Sequence, residues 1–290
     1  MQTDHPARLE WQAQALQDEL ARLCPGLVVQ VLASVDSTNT LLMERCRAAG
    51  SSPPAAALVV AEEQRRGRGR QGRAWHSTRA SSLTFSLAWP LQTQDLSGLS
   101  LAVGVALAEV LDDAPDMPRI ALKWPNDLWL LDARLGGDGS TDVNPAGRKL
   151  GGILIETVNH GPQRTAVIGV GLNVLPQTVA EARAGVACLQ EVWAGASAPL
   201  ALHRVAAPLV RTLHAFEAEG FPAFMPRSRQ RDLLLGRTVQ AGTLSGISAG
   251  VAANGALLLQ DELGLHSVVS GEVSIRMLAP PRGAAPQDAC

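Results

Sequence analysis

The sequence predicts an α+β protein, in which a mixed β-sheet with helices is followed by a small β-barrel. In the first 230 residues, helical and strand patterns follow one another without the strict alternation typical of a Rossmann repeat. From about residue 235, five short strand patterns separated by glycines fall within about 45 residues, the size of an SH3-like barrel. We therefore expect a main domain over 1–230, a small domain over 231–280 and a disordered Ala/Pro-rich tail over 281–290.

Hydrophobic periodicity gives the elements of the main domain. Apolar residues spaced by three and four predict helices, and Pro25-Gly26 and Gly50 mark the ends of the first two. The predicted helices are 6–23, 39–49, 96–111 and 197–221. Runs of apolar and β-branched residues predict strands. The predicted strands are 27–35, 55–61, 82–89, 121–124, 127–131, 151–157 and 165–174.

Turn-forming residues and strand patterns also predict an insertion, one strand pairing and the strands of the small domain. Residues 132–147 are rich in Gly, Asp and Asn, which predicts a mobile insertion between two strands. The strands 151–157 and 165–174 are expected to pair in antiparallel fashion. The expected strands of the small domain are 238–240, 243–249, 256–260, 265–269 and 272–278.

The composition argues against several classes of protein, including secreted, membrane-spanning and generally basic nucleic-acid-binding proteins. The 290 residues are 46% hydrophobic and 18% charged, and their net charge of −2 offers no global attraction to nucleic acid or to an anionic membrane. The N-terminus lacks a signal peptide, and no apolar run approaches the ~20 residues that span a bilayer. The four cysteines are far apart, which argues against a disulfide framework. We expect a cytoplasmic protein without a membrane partner.

The segment 65–73 holds five arginines interleaved with three glycines. Glycines let the backbone approach a ligand closely, and guanidinium groups bind phosphate or carboxylate oxygens in pairs. Gly67 and Gly72 have the spacing of a Walker A loop, but Arg73-Ala74 replaces the Lys-Ser/Thr pair, which argues against a P-loop. A solvated basic turn or an RNA-binding Arg/Gly tract remains an alternative for this segment alone.

Four further motifs accompany this segment. The run Lys-Trp-Pro-Asn-Asp at 123–127 ends a strand at a turn, where its lysine either points into a cleft or lies on the surface. Gly151-Gly152 implies close backbone approach by a ligand or another strand. The run Gly-Val-Gly-Leu-Asn at 169–173 lacks the third glycine of a dinucleotide fingerprint. Asp36, Ser37 or Thr38 is expected to cap the second helix, whose N-terminus also presents free N–H groups.

The order and spacing of these motifs together resemble the biotin–protein ligases. The resemblance runs from about residue 33 to 176 and resumes at Gly246-Ile247 and at 271–276. It implies a class II aminoacyl-tRNA synthetase-like catalytic domain over 1–230 with an SH3-like domain appended. It also implies that biotin and ATP form biotinyl-5′-AMP with release of pyrophosphate, helped by Mg²⁺. The biotinyl group then passes to one lysine of the biotin carboxyl carrier domain of a carboxylase.

The same resemblance implies roles for individual residues. Lys123 and Arg70 would be catalytic. Trp75 and Trp124 would wall the pocket or pack against the adenine, and a place in the hydrophobic core is an equal alternative for Trp124. The residues implied for biotin are Ser37, Thr38, Asn39, Gln64, Arg68, Gly69, Arg70 and Lys123. Those implied for ATP or the adenylate are Arg68, Arg70, Lys149, Asn173 and Arg276. No side chain is assigned to a metal.

Two alternatives to this interpretation remain, and the chain departs from some biotin ligases in one respect. A lipoate–protein ligase shares the fold class and the chemistry. An RNA-binding module would use the Arg/Gly segment, but the chain has no Tyr and 3% aromatic residues, which disfavours stacking platforms. Some biotin ligases carry an N-terminal helix-turn-helix; only about 33 residues precede the Ser-Thr-Asn motif here, so we expect no DNA binding. The sequence is compatible with a monomer or a homodimer.

Overall fold

The computed structural model describes residues 9–112, 118–132, 147–177 and 186–269, together with the backbone of 275–277. The interior of the predicted insertion at 132–147 and the predicted tail at 281–290 lie outside these residues. The predicted α+β class is confirmed, since a seven-stranded sheet with helices is followed by a five-stranded sheet.

The main sheet has the order β1-β2-β3-β7-β6-β5-β4. Its strands are β1 (Val28–Leu32), β2 (Ala57–Ala61), β3 (Ser82–Leu91), β4 (Ile120–Lys123), β5 (Asp127–Leu131), β6 (Gly147–His160) and β7 (Gln163–Asn173). β1 and β2 are parallel and every other pair is antiparallel, so the sheet is mixed as predicted. The expected antiparallel pair β6–β7 is present, and its long strands form the middle of the sheet.

Five α-helices accompany the sheets in the part of the chain that the structure describes. They are α1 (Ala13–Leu23), α2 (Thr38–Ala48), α3 (Leu99–Leu111), α4 (Ala198–Glu219) and α5 (Met225–Gln230). The first helix begins later than predicted, because Gln12 has a left-handed backbone with φ of 44°. α5 was not predicted, because six residues with a proline near the start show too little periodicity.

The two faces of the main sheet are covered unequally. α1, α3 and α4 pack on one face and form the larger core, which contains Phe85, Leu87 and Ile168. The single helix α2 covers part of the other face, where Leu42 and Met43 pack on strand residues. Because side chains alternate along a strand, Ser86 and Gly169 lie on the α2 side of the sheet. The open part of that face begins where α2 begins.

The C-terminal sheet is antiparallel throughout, with the order β11-β10-β9-β8-β12. Its strands are β8 (Thr238–Ala241), β9 (Leu244–Val251), β10 (Leu257–Asp261), β11 (Gly264–Val268) and β12 (Ile275–Met277). All five predicted strands are present. The exact domain boundary at residue 231 stays a prediction. Within the residues that the structure describes, no helix is both long and apolar enough to cross a bilayer.

Candidate active site

An open cleft of about 770 Å³ lies on the α2 side of the main sheet. The beginning of α2, the Arg/Gly loop and the turn between β4 and β5 surround it, and strands β3, β6 and β7 form its floor. Of the residues predicted for ligands, those that line it are Ser37, Thr38, Asn39, Gln64, Arg68, Gly69, Arg70 and Lys149. The structure therefore brings together, in one cleft, predicted ligand-binding residues that are up to 112 positions apart in the sequence.

A chain of hydrogen bonds fixes the side chains at the start of α2. Ser37 caps the helix by accepting a bond from Thr40 N, as expected for one of the three candidate caps. The hydroxyl of Thr38 donates to Gln64 Oε1 at 3.0 Å and lies 2.7 Å from Ser86 Oγ. All of these groups are neutral and polar, and the charges nearest to them, those of Arg68 and Glu156, are paired with each other.

Asn39 continues this chain into the floor of the cleft. Its Oδ1 accepts a 2.6 Å bond from Ser86 Oγ, and its Nδ2 donates to Glu156 Oε2 at 3.1 Å and to Leu154 O at 3.3 Å. Both amide hydrogens are therefore used within the protein. The orientation of Asn39 is fixed, with Oδ1 on the side of β7.

The glycines at 169 and 171 make room for two side chains of the site. A Cβ on Gly169 would lie 2.2 Å from Asn39 Oδ1, and a Cβ on Gly171 would lie 2.4 Å from the Trp75 ring. Gly151, by contrast, would meet the backbone oxygen of Gly171 at 2.6 Å. Gly169 and Gly171 thus leave room for protein side chains at the cleft floor, whereas Gly151 allows close approach of the neighbouring strand.

The Arg/Gly loop is a compact hairpin over the cleft. Gly69 N donates to Arg73 O at 2.7 Å, and Trp75 N donates to Gly67 O at 2.9 Å. Gln71 adopts a left-handed backbone, φ 57°, within the tight turn. Gly67 is required where it stands, because a Cβ there would lie 2.3 Å from Trp75 O. The loop presents Arg68 and Arg70 to the cleft from one side.

The two arginines have different surroundings. Arg68 Nη2 lies 3.0 Å from Glu156 Oε1, and its Nη1 donates to Thr40 Oγ1 at 3.3 Å. Arg70 donates to Asn126 Oδ1 at 3.4 Å, and burial lowers the pKa of its guanidinium, against the influence of Asp127. An arginine stays protonated through such a change, so Arg70 brings a half-buried positive charge to the cleft.

Lys149 provides a second cation beside Arg70. Its Nζ lies 2.7 Å from Asp127 Oδ1 and 5.9 Å from the centre of the Trp75 ring. The side chains of Lys149 and Asp127 are partly exposed, which leaves the ammonium group accessible from the cleft. The end of the cleft at Arg70 and Lys149 is therefore suited to an anion.

Two of the predicted residues, Lys123 and Asn173, are described and do not line this cleft. Lys123 lies with its Nζ 4.7 Å from the centre of the Trp129 ring, and burial lowers its pKa while Asp127 raises it. Asn173 is buried, donates to Lys149 O at 3.3 Å and accepts from Gln177. The side chain of Arg276 lies outside the described residues, although its backbone pairs with Gln240.

The two tryptophans predicted to wall the pocket have separate environments. Trp75 lines the cleft beside Gly171. Trp124 is buried and its Nε1 donates to Gly255 O at 2.9 Å, so it packs between the two sheets. The surroundings of Trp124 match the alternative in which it belongs to the hydrophobic core.

Comparison with known proteins identifies the family. A profile of the Biotin/lipoate A/B protein ligase family matches residues 31–173, and one of the Biotin protein ligase C terminal domain matches 234–276. The chain is 35% identical over 261 residues to the bifunctional ligase/repressor BirA of Salmonella typhimurium, covering 86% of this chain and 74% of that protein. The chain belongs to the biotin/lipoate A/B protein ligase family.

Two further relatives agree with this membership. The biotin–[acetyl-CoA-carboxylase] ligase of Paracoccus denitrificans is 30% identical over 237 residues, covering 71% of this chain and 85% of that protein. The structure of the Aquifex aeolicus biotin protein ligase in complex with biotin and ATP superposes with a TM-score of 0.69 at 26% identity. That superposition covers 88% of this chain and all of the other. The first family match spans every residue that lines the cleft.

Several residues in the cleft of this family member, or directly behind its lining, had no role assigned from the sequence. Ser86 and Glu156 hold Asn39, while Asn126 and Asp127 contact the two cations. One signal for Ser86 existed: Thr84 and Ser86 alternate with apolar residues along β3, which indicates a polar stripe on a buried strand. Glu156 ends an apolar run, and its partners are far away in the sequence.

Proposed function

We propose that the protein is an ATP-dependent biotin–protein ligase. In the first step, the carboxylate of biotin attacks the α-phosphorus of ATP, giving biotinyl-5′-AMP and pyrophosphate. In the second step, the amine of a lysine attacks the acyl carbon and releases AMP. The enzyme must hold a carboxylate against a triphosphate, so it needs preorganised cations at the place where the two anions meet.

The observation that carries this proposal is the division of one cleft into two chemically different ends. The end at Thr38, Asn39 and Gln64 offers neutral hydrogen-bonding groups in fixed positions. The end at Arg70 and Lys149 is cationic, and Arg73 also lines the cleft. Biotin matches this division, since its ureido ring is neutral and polar and its chain ends in a carboxylate. The C-terminal domain match favours biotin over lipoate, because that profile describes biotin protein ligases.

We assign the ureido ring and the chain of biotin to the neutral end. Ser37, Thr38, Asn39 and Gln64 would contact biotin, with Arg68 and Gly69 of the loop above it. The Asn39 amide hydrogens are already bonded to Glu156 and Leu154. Asn39 would therefore act as a hydrogen-bond acceptor for an N–H of the ligand, not as a donor.

We assign the reacting carboxylate and the α-phosphate to the cationic end. Arg70 and Lys149 line the cleft there, so they are the cations best situated to stabilise the developing charge. Lys123 keeps its proposed catalytic role, which is supported by the electrostatic coupling of its ammonium group to both Asp127 and Lys149. Asn173 and Arg276 remain proposed contacts of the adenylate. The Arg/Gly loop would exclude water from the acyl-adenylate, which hydrolyses readily.

ATP would bring Mg²⁺ with it. Asp127 is the one carboxylate among the described residues that line the cleft, and its Oδ1 already contacts Lys149. Mg²⁺ binds phosphate oxygens and few carboxylates, and it keeps several waters. We therefore expect phosphate oxygens to hold most of its coordination sphere, where the ion neutralises their charge.

The proposed protein partner is the biotin carboxyl carrier domain of a carboxylase. A cytoplasmic location agrees with the use of ATP and with the free thiols of Cys24, Cys46 and Cys188. The proposal includes neither a membrane nor a DNA partner. It is compatible with a monomer or a homodimer, which analytical ultracentrifugation with and without biotin and ATP would decide.

Release of pyrophosphate tests the proposal directly. The purified chain should release pyrophosphate from ATP and Mg²⁺ when biotin is added, and a carrier domain should become biotinylated. Lipoate at the same concentration should give no release. Release with lipoate alone would support the lipoate ligase alternative. Binding of single-stranded RNA without any biotin-dependent release would support the RNA-binding alternative.

A further inference from the structure

The C-terminal domain is joined to strand β4 by backbone pairing. Leu122 N donates to Arg231 O at 2.7 Å, and Leu233 N donates to Leu122 O at 2.9 Å. The segment 231–233, which leads into the C-terminal domain, therefore continues the main sheet beside β4. Strand β4 runs directly into the turn at 124–126, which borders the cleft.

A second contact fixes that turn to the C-terminal sheet. The Nε1 of Trp124 donates to the backbone oxygen of Gly255 at 2.9 Å, and the Trp124 ring is 2% exposed. Gly255 has φ of +74°, and a Cβ there would lie 2.6 Å from the Gly98 backbone. The turn around Gly255 is thus wedged between Trp124 and the start of α3. It accepts the indole donor only because residue 255 has no side chain.

The other end of the same turn holds the cations of the cleft. Asn126 accepts from Arg70 through Oδ1 and donates to Ile153 O at 2.8 Å through Nδ2. The next residue, Asp127, pairs with Lys149. A single residue, Pro125, separates Trp124, which contacts the C-terminal domain, from Asn126, which contacts the Arg/Gly loop.

We infer that Trp124 is a positioning residue through which the C-terminal domain holds Arg70 and Lys149 in place. The inference rests on the proposed function, and it assigns to the C-terminal domain a part in the binding of phosphate and adenylate. The neutral end of the cleft is held by other elements, since Gln64, Thr38 and Asn39 bond to Ser86, Glu156 and one another. Binding of biotin alone should therefore be independent of Trp124.

The test compares Trp124→Phe with Trp89→Phe. Both rings are buried, but Trp89 lies away from the cleft and its Nε1 has no hydrogen-bond partner in the described part of the chain. Loss of the Trp124 donor leaves the Gly255 carbonyl unpaired, so we expect about tenfold faster dissociation of biotinyl-AMP and a higher KM for ATP. The Kd of biotin without ATP should change less than about twofold. Trp89→Phe should leave all three quantities near the wild-type values.

Two further variants separate positioning from general destabilisation. Asn254→Ala removes the Oδ1 that accepts from Ala256 N and shapes the wedged turn, and it should shift the same quantities as Trp124→Phe without touching the indole. In an Asn126→Ala background, Trp124→Phe should add little, because the link to Arg70 is already broken. Full additivity of these two changes would overturn the inference. So would loss of biotin affinity in parallel with the melting temperature.

The outcomes for the wild-type protein keep the two proposals apart. If the wild type releases no pyrophosphate in the presence of biotin, the proposed ligase function fails. If it does, and Trp124→Phe behaves like Trp89→Phe, the function stands and the positioning role of Trp124 fails.

Discussion

The guanidinium of Arg68 lies 3.0 Å from the carboxylate of Glu156, and this pair joins the Arg/Gly loop to the floor of the cleft. The second oxygen of Glu156 accepts from Asn39 Nδ2 at 3.1 Å. One carboxylate therefore contacts both a residue of the loop and a residue proposed to bind biotin. The position of the loop and the orientation of Asn39 depend on the same group.

Glu156→Gln should loosen the loop without unfolding the protein. The substitution removes the charge that holds Arg68 and places an amide donor beside Asn39 or Arg68. The Arg68 side chain is about half exposed, so the pair contributes at most about 1 kcal/mol to stability. We expect biotinyl-AMP to dissociate several-fold faster, roughly threefold to tenfold, measured by chase with excess unlabelled biotin. Glu63→Gln at an exposed carboxylate is the control, and equal dissociation rates in the two variants would contradict the role of Glu156.

The site was predictable from the sequence where its residues form local motifs. Thr38, Gln64 and Arg70 belong to short runs with recognisable spacing, and the cleft contains all three. Ser86 and Glu156 are single polar residues in strands, and their partners lie 47 and 88 residues away. Which strand lies beside which is decided by the sheet order, and that order is not contained in any local pattern.

Gly169→Ala should abolish the fixed geometry of Asn39. The new methyl group would lie 2.2 Å from Asn39 Oδ1, which cannot withdraw because Ser86, Leu154 and Glu156 all hold the amide. We expect the affinity for biotin to fall roughly tenfold or more, and overpacking to cost about 1–3 kcal/mol of stability. Calorimetric titration with biotin in the absence of ATP measures the first effect.

The matched control for that change is Gly195→Ala. A Cβ at residue 195 would approach no atom closer than Trp193 Nε1 at 3.8 Å, so the methyl group has room. Biotin affinity in this variant should equal that of the wild type. If Gly169→Ala also retained wild-type affinity, Asn39 would not be the biotin contact that we propose.

The positions of Lys123 and Lys149 were not predictable from the alternation of side chains along a strand. The pairing of β5 with β6 shifts register between Leu128 and Trp129, so the side on which Lys149 emerges does not follow from counting residues. Lys123 ends β4 at the turn, as the sequence suggested; it pairs with Asp127, and its ammonium group lies over Trp129. The sequence indicated that both lysines lie near one site, but it did not indicate which of them lies nearer the cleft.

Lys149→Ala and Lys123→Ala should therefore differ in their effects. Lys149 lines the cleft, so its loss should lower the rate of adenylate formation by roughly 10²–10³-fold, the range for removal of one preorganised charge-stabilising group. Lys123→Ala should reduce the rate less, through the altered surroundings of Asp127. Single-turnover formation of biotinyl-AMP at saturating biotin and ATP measures both rates. A larger loss in Lys123→Ala would restore Lys123 as the principal catalytic cation.

Ionisation of Asp232 should lower the free energy of unfolding as the pH rises toward neutrality. This residue lies between the main sheet and the C-terminal domain, and burial raises its pKa to about 6 from 3.8, against the bonds from Leu234 and Leu235 N–H. Its Oδ2 has no hydrogen-bond partner among the described residues. A carboxyl with a higher pKa in the folded state binds its proton more tightly when folded. Its contribution is thus fully present below about pH 4 and is lost by about pH 6.

The size of this loss of stability follows from the shift in the pKa of Asp232. A rise of about two units corresponds to a loss on the order of 3 kcal/mol across this window. Asp232→Asn cannot ionise and can keep the acceptor for Leu234 N, so its free energy of unfolding should lack this decline. Urea titrations of the two proteins at pH 4.5, 6 and 8 measure the difference, and Asp18→Asn at an exposed position of α1 controls for the charge change. Parallel pH dependence of the wild type and Asp232→Asn would show that Asp232 ionises as freely in the folded protein as in the unfolded chain.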